Sequence, residues 1–130
     1  MNTEKQRNET LKEQAVSFLQ LVSTGNVDEA YQKHIGEDFR HHNPYFPGDA
    51  DSLKRAMKEN AAEAPEKIFD VKRAMEDGEM VTVHSHVKQS PRDPGAAVVH
   101  IFRFHENQIV ELWDLGIPVP EESRNENGLF

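Results

Sequence analysis

Apolar side chains recur every three or four positions between residues 11 and 22, which is the spacing of one helix face. Upstream, Thr3 and Gln6 have the spacing of a capping box, and Gly25 favours the left-handed conformation in which helices end. The sequence therefore predicts a first helix that ends at Gly25. Its buried stripe consists of Leu11, Ala15, Phe18, Leu19 and Val22.

Two shorter helices and one short strand are predicted next. A helix runs from Asn26 to about His34, and a third begins at Asp49 or Asp51 and stops at Pro65. Residues 39–42, between these two helices, form the strand, which the following Asn-Pro pair ends.

The second half of the chain has the pattern of consecutive antiparallel strands. Strands are predicted over residues 67–76, 80–88, 97–104 and 109–115, and the Asp77-Gly78 pair is a strong turn signal between the first two. Helices followed by such a run of strands predict an α+β fold with the helices on one face of a curved antiparallel sheet. We expect one domain over residues 1–130.

The register of the last hairpin decides which side chains meet. A two-residue turn at Glu106-Asn107 would place His100 opposite Trp113, whereas a three-residue turn would place it opposite Leu112. We favour the longer turn, because Glu106 is poorly suited to the positive φ that the shorter one requires. His100, Phe102, Leu112 and Asp114 then share one face, and Val99, Ile101, Glu111, Trp113 and Leu115 share the other.

Composition narrows the possible functions. The chain has 130 residues, of which 36% are hydrophobic, and a net charge of −8, which disfavours nucleic acid and anionic membranes as partners. It lacks cysteine, so disulfides, thiolate metal ligands and a cysteine nucleophile are excluded. No signal peptide or membrane-spanning segment is apparent, and we expect a cytoplasmic protein.

Several segments, in order along nearly the whole chain, resemble the SnoaL-like polyketide cyclase family of the nuclear-transport-factor-2-like superfamily. They are His42–Pro44, Val83–His86, Val99–Phe104, Ile109–Asp114, and the tail from Val119–Glu121 to Gly128–Phe130. The resemblance implies a cone-shaped, cystatin-like curved sheet wrapped around a long N-terminal helix, with a small-molecule pocket at the open end. It also implies aldol-type cyclase chemistry by an aspartate on the last strands, without metal or cofactor. Two positions depart from the family pattern, since members with this tail commonly carry His in place of Leu112 and Asp in place of His100.

Asp114 is the leading catalytic candidate, because an ionised group between large apolar residues is costly unless it is paired or used. His100 and His42 are candidates to hydrogen-bond the carbonyl oxygen on which enolate charge develops. Each of these three side chains also has a purely structural interpretation, as a hydrogen-bond partner of nearby backbone. We expect the ligand to be bound by Phe102, Leu112, Asn43, His84 and His86.

His84 and His86 point to one side of their strand, and we interpret that polar side as facing the cone. A His-x-His pair on a strand also suggests a cupin-like metal site. The carboxylate that should follow in such a site is missing, and Pro91 interrupts the segment, so we predict no metal site.

Three functions remain open from the sequence. The first is a cofactor-independent enzyme in which Asp114 moves a proton on a small carbonyl compound, in aldol, isomerase or dehydratase chemistry. The second is a non-catalytic domain that binds a small molecule, and the third is a dimerising module. In each case we expect a homodimer through the convex sheet face that carries Val99, Ile101 and Trp113, since an exposed apolar face would promote aggregation.

Overall fold

A computed structural model describes residues 9–130 of the chain. It contains three helices and five strands. The helices are α1 (Leu11–Ser23), α2 (Val27–His34) and α3 (Ala50–Glu63), and the strands are β1 (Ile35–His41), β2 (Ile68–Asp77), β3 (Met80–Lys88), β4 (Ala96–His105) and β5 (Gln108–Pro118). None of the helices within residues 9–130 is long and apolar enough to cross a membrane.

Side-chain caps fix where two of the helices begin. Thr10 caps α1 by accepting a hydrogen bond from the backbone N–H of Glu13 at 3.0 Å. The capping box predicted at Thr3 lies outside the described residues. Asp49, one of the two predicted caps of α3, accepts from the backbone N–H of Ser52 at 3.0 Å.

The five strands form one curved, unclosed sheet in the order β1-β5-β4-β3-β2. Strands β2, β3, β4 and β5 pair with one another in antiparallel fashion, as predicted, but β1 lies parallel to β5, so the sheet is mixed. A parallel neighbour is possible because α3 and the three antiparallel strands separate β1 from β5 along the chain. The predicted α+β class is confirmed.

Phe18 of α1 is the centre of the hydrophobic core. Its ring is fully buried and packs against Tyr31, His34 and Phe102, with ring centroids 5.9, 6.3 and 6.1 Å away. Two helices and the concave face of the sheet therefore meet at one side chain. Further buried members of this core are Ala15, Leu19, Val27, Ala30, Phe39, Leu53, Val81, Val83, Phe104, Ile109 and Leu112.

The β4–β5 hairpin differs from both registers considered for it. Its turn contains two residues, Glu106 and Asn107, with φ of 49° and 67°. A β-bulge then leaves Val110 without a partner, because Phe104 pairs with Ile109 while Arg103 pairs with Glu111. The predicted three-residue turn is therefore wrong. The bulge adds one residue to β5 and places His100 directly opposite Asp114.

The predicted orientation of β3 is also wrong. Val81, Val83 and Ser85 are buried on the concave face against the helices, so Thr82, His84 and His86 lie on the convex face. Burial of the valines determines which side faces inward, and the polar side chains follow on the other side. The ring of Phe130 stacks on His84 and His86, with centroid distances of 5.7 and 4.3 Å, and covers part of the convex face.

The strained turn leads to a stability prediction. Glu106 adopts a left-handed conformation that Asn tolerates much better. We expect Glu106→Asn to raise the free energy of unfolding by about 1 kcal/mol. Urea denaturation measures the change.

Glu106→Gln is the matched control, because it removes the same negative charge without relieving the backbone. The gain should be absent in this variant. Equal stabilisation by both substitutions would show that charge, and not backbone conformation, is responsible.

Candidate functional site

A cavity of about 300 Å³ lies between α1, α3 and the concave face of the sheet. Helices α1 and α3 contribute mostly apolar side chains to its wall, whereas the sheet and the loops at its end contribute most of the polar ones. The lining residues are Leu19, Val22, Ser23, Asn43, Phe46, Leu53, Ala56, Met57, Asn60, Lys67, Phe69, Gln89, His100 and Asp114.

His100 and Asp114 face this cavity from neighbouring strands. They are directly opposite each other in the β4–β5 ladder, where cross-strand side chains are in close contact. Burial lowers the pKa of His100 to about 4; the Asp114 carboxylate partly opposes this shift and the charge of Lys67 adds to it. His100 is therefore neutral at pH 7. The structure brings together two of the three predicted catalytic residues.

Asn43 holds the Asp114 carboxylate in place. Its Nδ2 donates a hydrogen bond to Oδ2 of Asp114 at 3.1 Å, and its Oδ1 accepts from the backbone N–H of Tyr45 at 2.9 Å. The second bond fixes which end of the amide faces the carboxylate. The structure thus places Asn43 in the cavity wall, where its amide orients the aspartate.

His41 supports this arrangement from the core. Its ring is buried and stacks on Phe39, and its Nδ1 accepts from the backbone N–H of Asn43 at 3.1 Å. Its Nε2, which then carries the proton, donates to the carbonyl of Pro47 at 2.7 Å. The inward-facing histidine of this segment is therefore His41 and not the predicted catalytic candidate His42.

His42 lies on the convex face. Its Nε2 is 2.6 Å from Oε2 of Glu111, and its ring stacks on Trp113 with centroids 4.9 Å apart. The hydrogen bond from His42 lowers the pKa of Glu111 to about 2, and Arg40 and Arg103 add to this effect while burial opposes it. Glu111 is therefore the ionised centre of a structural cluster.

Asp114 and Asn43 line spaces on both sides. Besides the cavity, they border an outer groove of about 550 Å³ whose wall also includes His42 and Leu115. The wall of the cavity that holds His100 does not include His42.

His84 and His86, expected to bind the ligand, are also on the convex face, outside the cavity. His84 contacts Arg73, and Nε2 of His86 lies 2.8 Å from the carbonyl of Pro94. Within residues 9–130 no group of three or more potential ligand side chains is arranged to hold a metal ion.

Phe102 and Leu112 have the predicted orientation but lie deeper than expected. They are 0% and 2% exposed, and they pack in the core next to the cavity without lining it. The apolar wall next to His100 is formed instead by Phe69 of β2, whose ring centroid lies 5.8 Å from that of His100.

Three hydrogen-bonded polar residues of the cavity wall, Asn60, Lys67 and Gln89, were not predicted. Lys67 Nζ donates to Oδ1 of Asn60 at 2.6 Å, and Nδ2 of Asn60 donates to Oε1 of Gln89 at 3.0 Å. Strand alternation could have found two of them. Lys67 lies two residues before Phe69, and Gln89 two residues after Val87, which is buried on the concave face.

Comparison with known proteins gives a consistent family and fold. The model of the SnoaL-like domain family matches residues 15–112. No curated protein sequence matches the chain.

Solved structures share the fold at low sequence identity. A putative polyketide cyclase from Acidithiobacillus ferrooxidans is 24% identical with a TM-score of 0.68, and the match covers 84% of this chain and 89% of that one. A SnoaL-like protein of unknown function from Burkholderia thailandensis is 12% identical with a TM-score of 0.69, over 82% and 95% of the two chains. A nuclear-transport-factor-2-like protein of unknown function from Cytophaga hutchinsonii is 16% identical with a TM-score of 0.66, over 84% and 91%.

The family model spans most of the chain, and the neighbouring structures share its curved sheet and helices. The resemblance seen in the sequence is thereby confirmed, and the chain belongs to the SnoaL-like domain family.

Proposed function

We propose that this protein is a cofactor-independent enzyme in which Asp114 transfers a proton on a small carbonyl compound bound in the cavity. The observation that supports this most is the pairing of Asp114 with a neutral histidine, directly across the β4–β5 ladder, on the wall of a largely apolar cavity. Such a pair supplies a base and a hydrogen-bond donor in one place.

In this proposal Asp114 removes a proton from the carbon next to the carbonyl group. The electron pair of the broken C–H bond moves to the carbonyl oxygen and gives an enolate. The Oδ2 atom of Asp114 is held by Asn43, and its second oxygen is left to accept the proton. When the enolate carbon attacks a second carbonyl of the same molecule, as in aldol closure, Asp114 returns the proton to the new alkoxide.

His100 stabilises the enolate oxygen by hydrogen bonding. A neutral imidazole carries one N–H. The Nδ1 atom of His100 is buried and has no hydrogen-bond partner among residues 9–130, so a proton there would be a buried, unsatisfied donor. The tautomer with the proton on Nε2 avoids this cost and leaves Nε2–H to donate to the ligand. This role falls to His100 and not to His42, whose Nε2 is engaged with Glu111.

We also propose that the protein is a homodimer through the convex sheet face. Leu115 and Ile117 are 63% and 60% exposed there, and their cross-strand partners Val99 and Ala97 extend the same apolar surface. In the tail, Phe130 covers the His84–His86 end of this face. A second copy would bury the remainder.

The catalytic proposal predicts an exchange reaction that needs no knowledge of the natural substrate. In D₂O, the wild-type protein should accelerate the loss of α-proton NMR signals from small ketones such as cyclohexanone and levulinate. Asp114→Asn should reduce this acceleration about 100-fold or more, because the amide cannot accept the proton.

Asp38→Asn is the control, an identical substitution at an exposed aspartate of β1. It should exchange like the wild type. If the ketones bind but the wild type exchanges no faster than buffer, the protein is a binding module and the catalytic proposal is wrong.

The neutral state of His100 predicts how stability depends on pH. Its pKa in the folded protein is about 4, below the ordinary value of 6.5, so the unfolded chain gains a proton between these pH values that the folded chain does not. Stability is therefore lost as the pH falls from 6.5 towards 4. His100→Gln should remove about 1–3 kcal/mol of this loss, as measured by urea denaturation across that range.

His34 has its pKa lowered to about 4 by burial, with a smaller contribution from Lys33, and its part of the pH dependence should persist in the variant. His105→Gln, at an exposed position, is the control and should change nothing. An unchanged pH dependence in His100→Gln would mean that folding leaves the pKa of His100 at its ordinary value, and the claim that burial lowers it would be wrong.

The dimer proposal predicts that a charge on the apolar end of the convex face separates the subunits. Leu115→Glu should give a monomer by light scattering at micromolar concentrations at which the wild type is a dimer. Ala62→Glu, at an exposed alanine of α3 on the opposite side of the sheet, should remain dimeric. A wild-type protein that is already monomeric would overturn the proposal.

A further inference from the structure

Lys67 is a cation in the cavity wall that has no acidic partner among residues 9–130. Its Nζ donates one hydrogen bond, to Oδ1 of Asn60 at 2.6 Å, and an ammonium group has two more to give. Burial alone lowers the pKa of Lys67, and no carboxylate within residues 9–130 offsets this effect. Keeping an ammonium group partly desolvated and unpaired costs stability, which favours a role in binding.

The position of Lys67 separates it from the reacting end of the cavity. Lys67 immediately precedes β2, whereas Asp114 is on β5, and β3 and β4 lie between these strands. At a spacing of about 4.8 Å per strand, β2 and β5 are about 14 Å apart across the sheet. His100 lies between them and is affected by both charges.

The geometry points to a ligand with two different ends: a carbonyl group at Asp114 and His100, and a carboxylate bound by Lys67. This inference rests on the proposed function and names its substrate class, an oxo-acid anion. The apolar side chains of α1 and α3, among them Leu19, Leu53 and Met57, would contact the hydrocarbon between the two ends. A cavity of about 300 Å³ is at the lower end of the range for ligand sites, which limits the class to small molecules.

Asn60 and Gln89 determine how Lys67 is presented. Nδ2 of Asn60 donates to Gln89, so its Oδ1 is turned towards the lysine. This chain of hydrogen bonds holds the ammonium group at the wall, and its remaining N–H groups are available to a carboxylate. A charge-assisted pair of this kind is stronger than a hydrogen bond between neutral groups.

The test compares acids with their neutral esters. Methyl-ketone acids with two to six methylene groups between the ketone and the carboxylate are titrated by NMR, beside their methyl esters. The wild-type protein should bind the best acid at least about tenfold more tightly than its ester, the equivalent of one charge-assisted hydrogen bond. Lys67→Met should abolish this preference, and Lys67→Arg should keep most of it.

Lys72→Met is the matched control, at a lysine of β2 that is paired with Asp70 outside the cavity. It should retain the full preference for the acid. Equal binding of acid and ester by the wild type, or an undiminished preference in Lys67→Met, would overturn the inference.

Thermal unfolding separates binding from a structural role. Because Lys67 has no acidic partner to lose in the described part of the chain, the melting temperature of unliganded Lys67→Met should equal or exceed that of the wild type. A clear decrease would identify Lys67 as a structural residue.

The two proposals fail in different ways. The preference for acids is measured by binding, so it can be scored in Asp114→Asn, where proton exchange is lost. Preference without exchange would leave the oxo-acid site standing and remove the catalytic proposal. Proton exchange without a preference for the acid would support the catalytic proposal and remove the oxo-acid site.

Discussion

The β-bulge at Val110 is the constraint on which the candidate site depends. Side chains alternate between the two faces of a strand, so a single extra residue decides which face each later residue of β5 occupies and which partner it meets. In this protein the extra residue is Val110. Because of it, a hairpin with a two-residue turn places His100 opposite Asp114. Burial of Phe104 and Ile109 next to the bulge favours this register, although it forces Glu106 into a left-handed conformation.

Much of the fold could be predicted from the sequence because it follows from local periodicity. The stripe containing Phe18 indicated α1, and the Asp77-Gly78 pair indicated the β2–β3 turn. The parallel pairing of β1 with β5 could not be predicted in this way, since it depends on contacts between residues far apart in the chain. The register predicted for the last hairpin was wrong for a related reason, because tertiary packing overrode the local preference of Glu106.

The candidate site was only partly predictable. Asp114 and His100 stood out because polar groups among large apolar residues are costly. The orientation of His41 and His42 could not be derived from sequence, since neighbouring residues face opposite sides and either could have been inward. His84 and His86 were assigned to the wrong side because a polar interior was assumed, whereas the buried valines of β3 determined its orientation. Lys67 was overlooked because a lysine at the start of a strand is usually solvated.

The segment from His41 to Pro47 has two structural roles, which different parts of a protein usually supply. Through His41 and Asn43 it orients the carboxylate, and through Phe46 it forms part of the cavity wall. Any change in the length of this loop would therefore alter the shape of the accepted molecule and the aim of the aspartate together. Selection for a new ligand could not reshape this wall without also retuning the group that faces it.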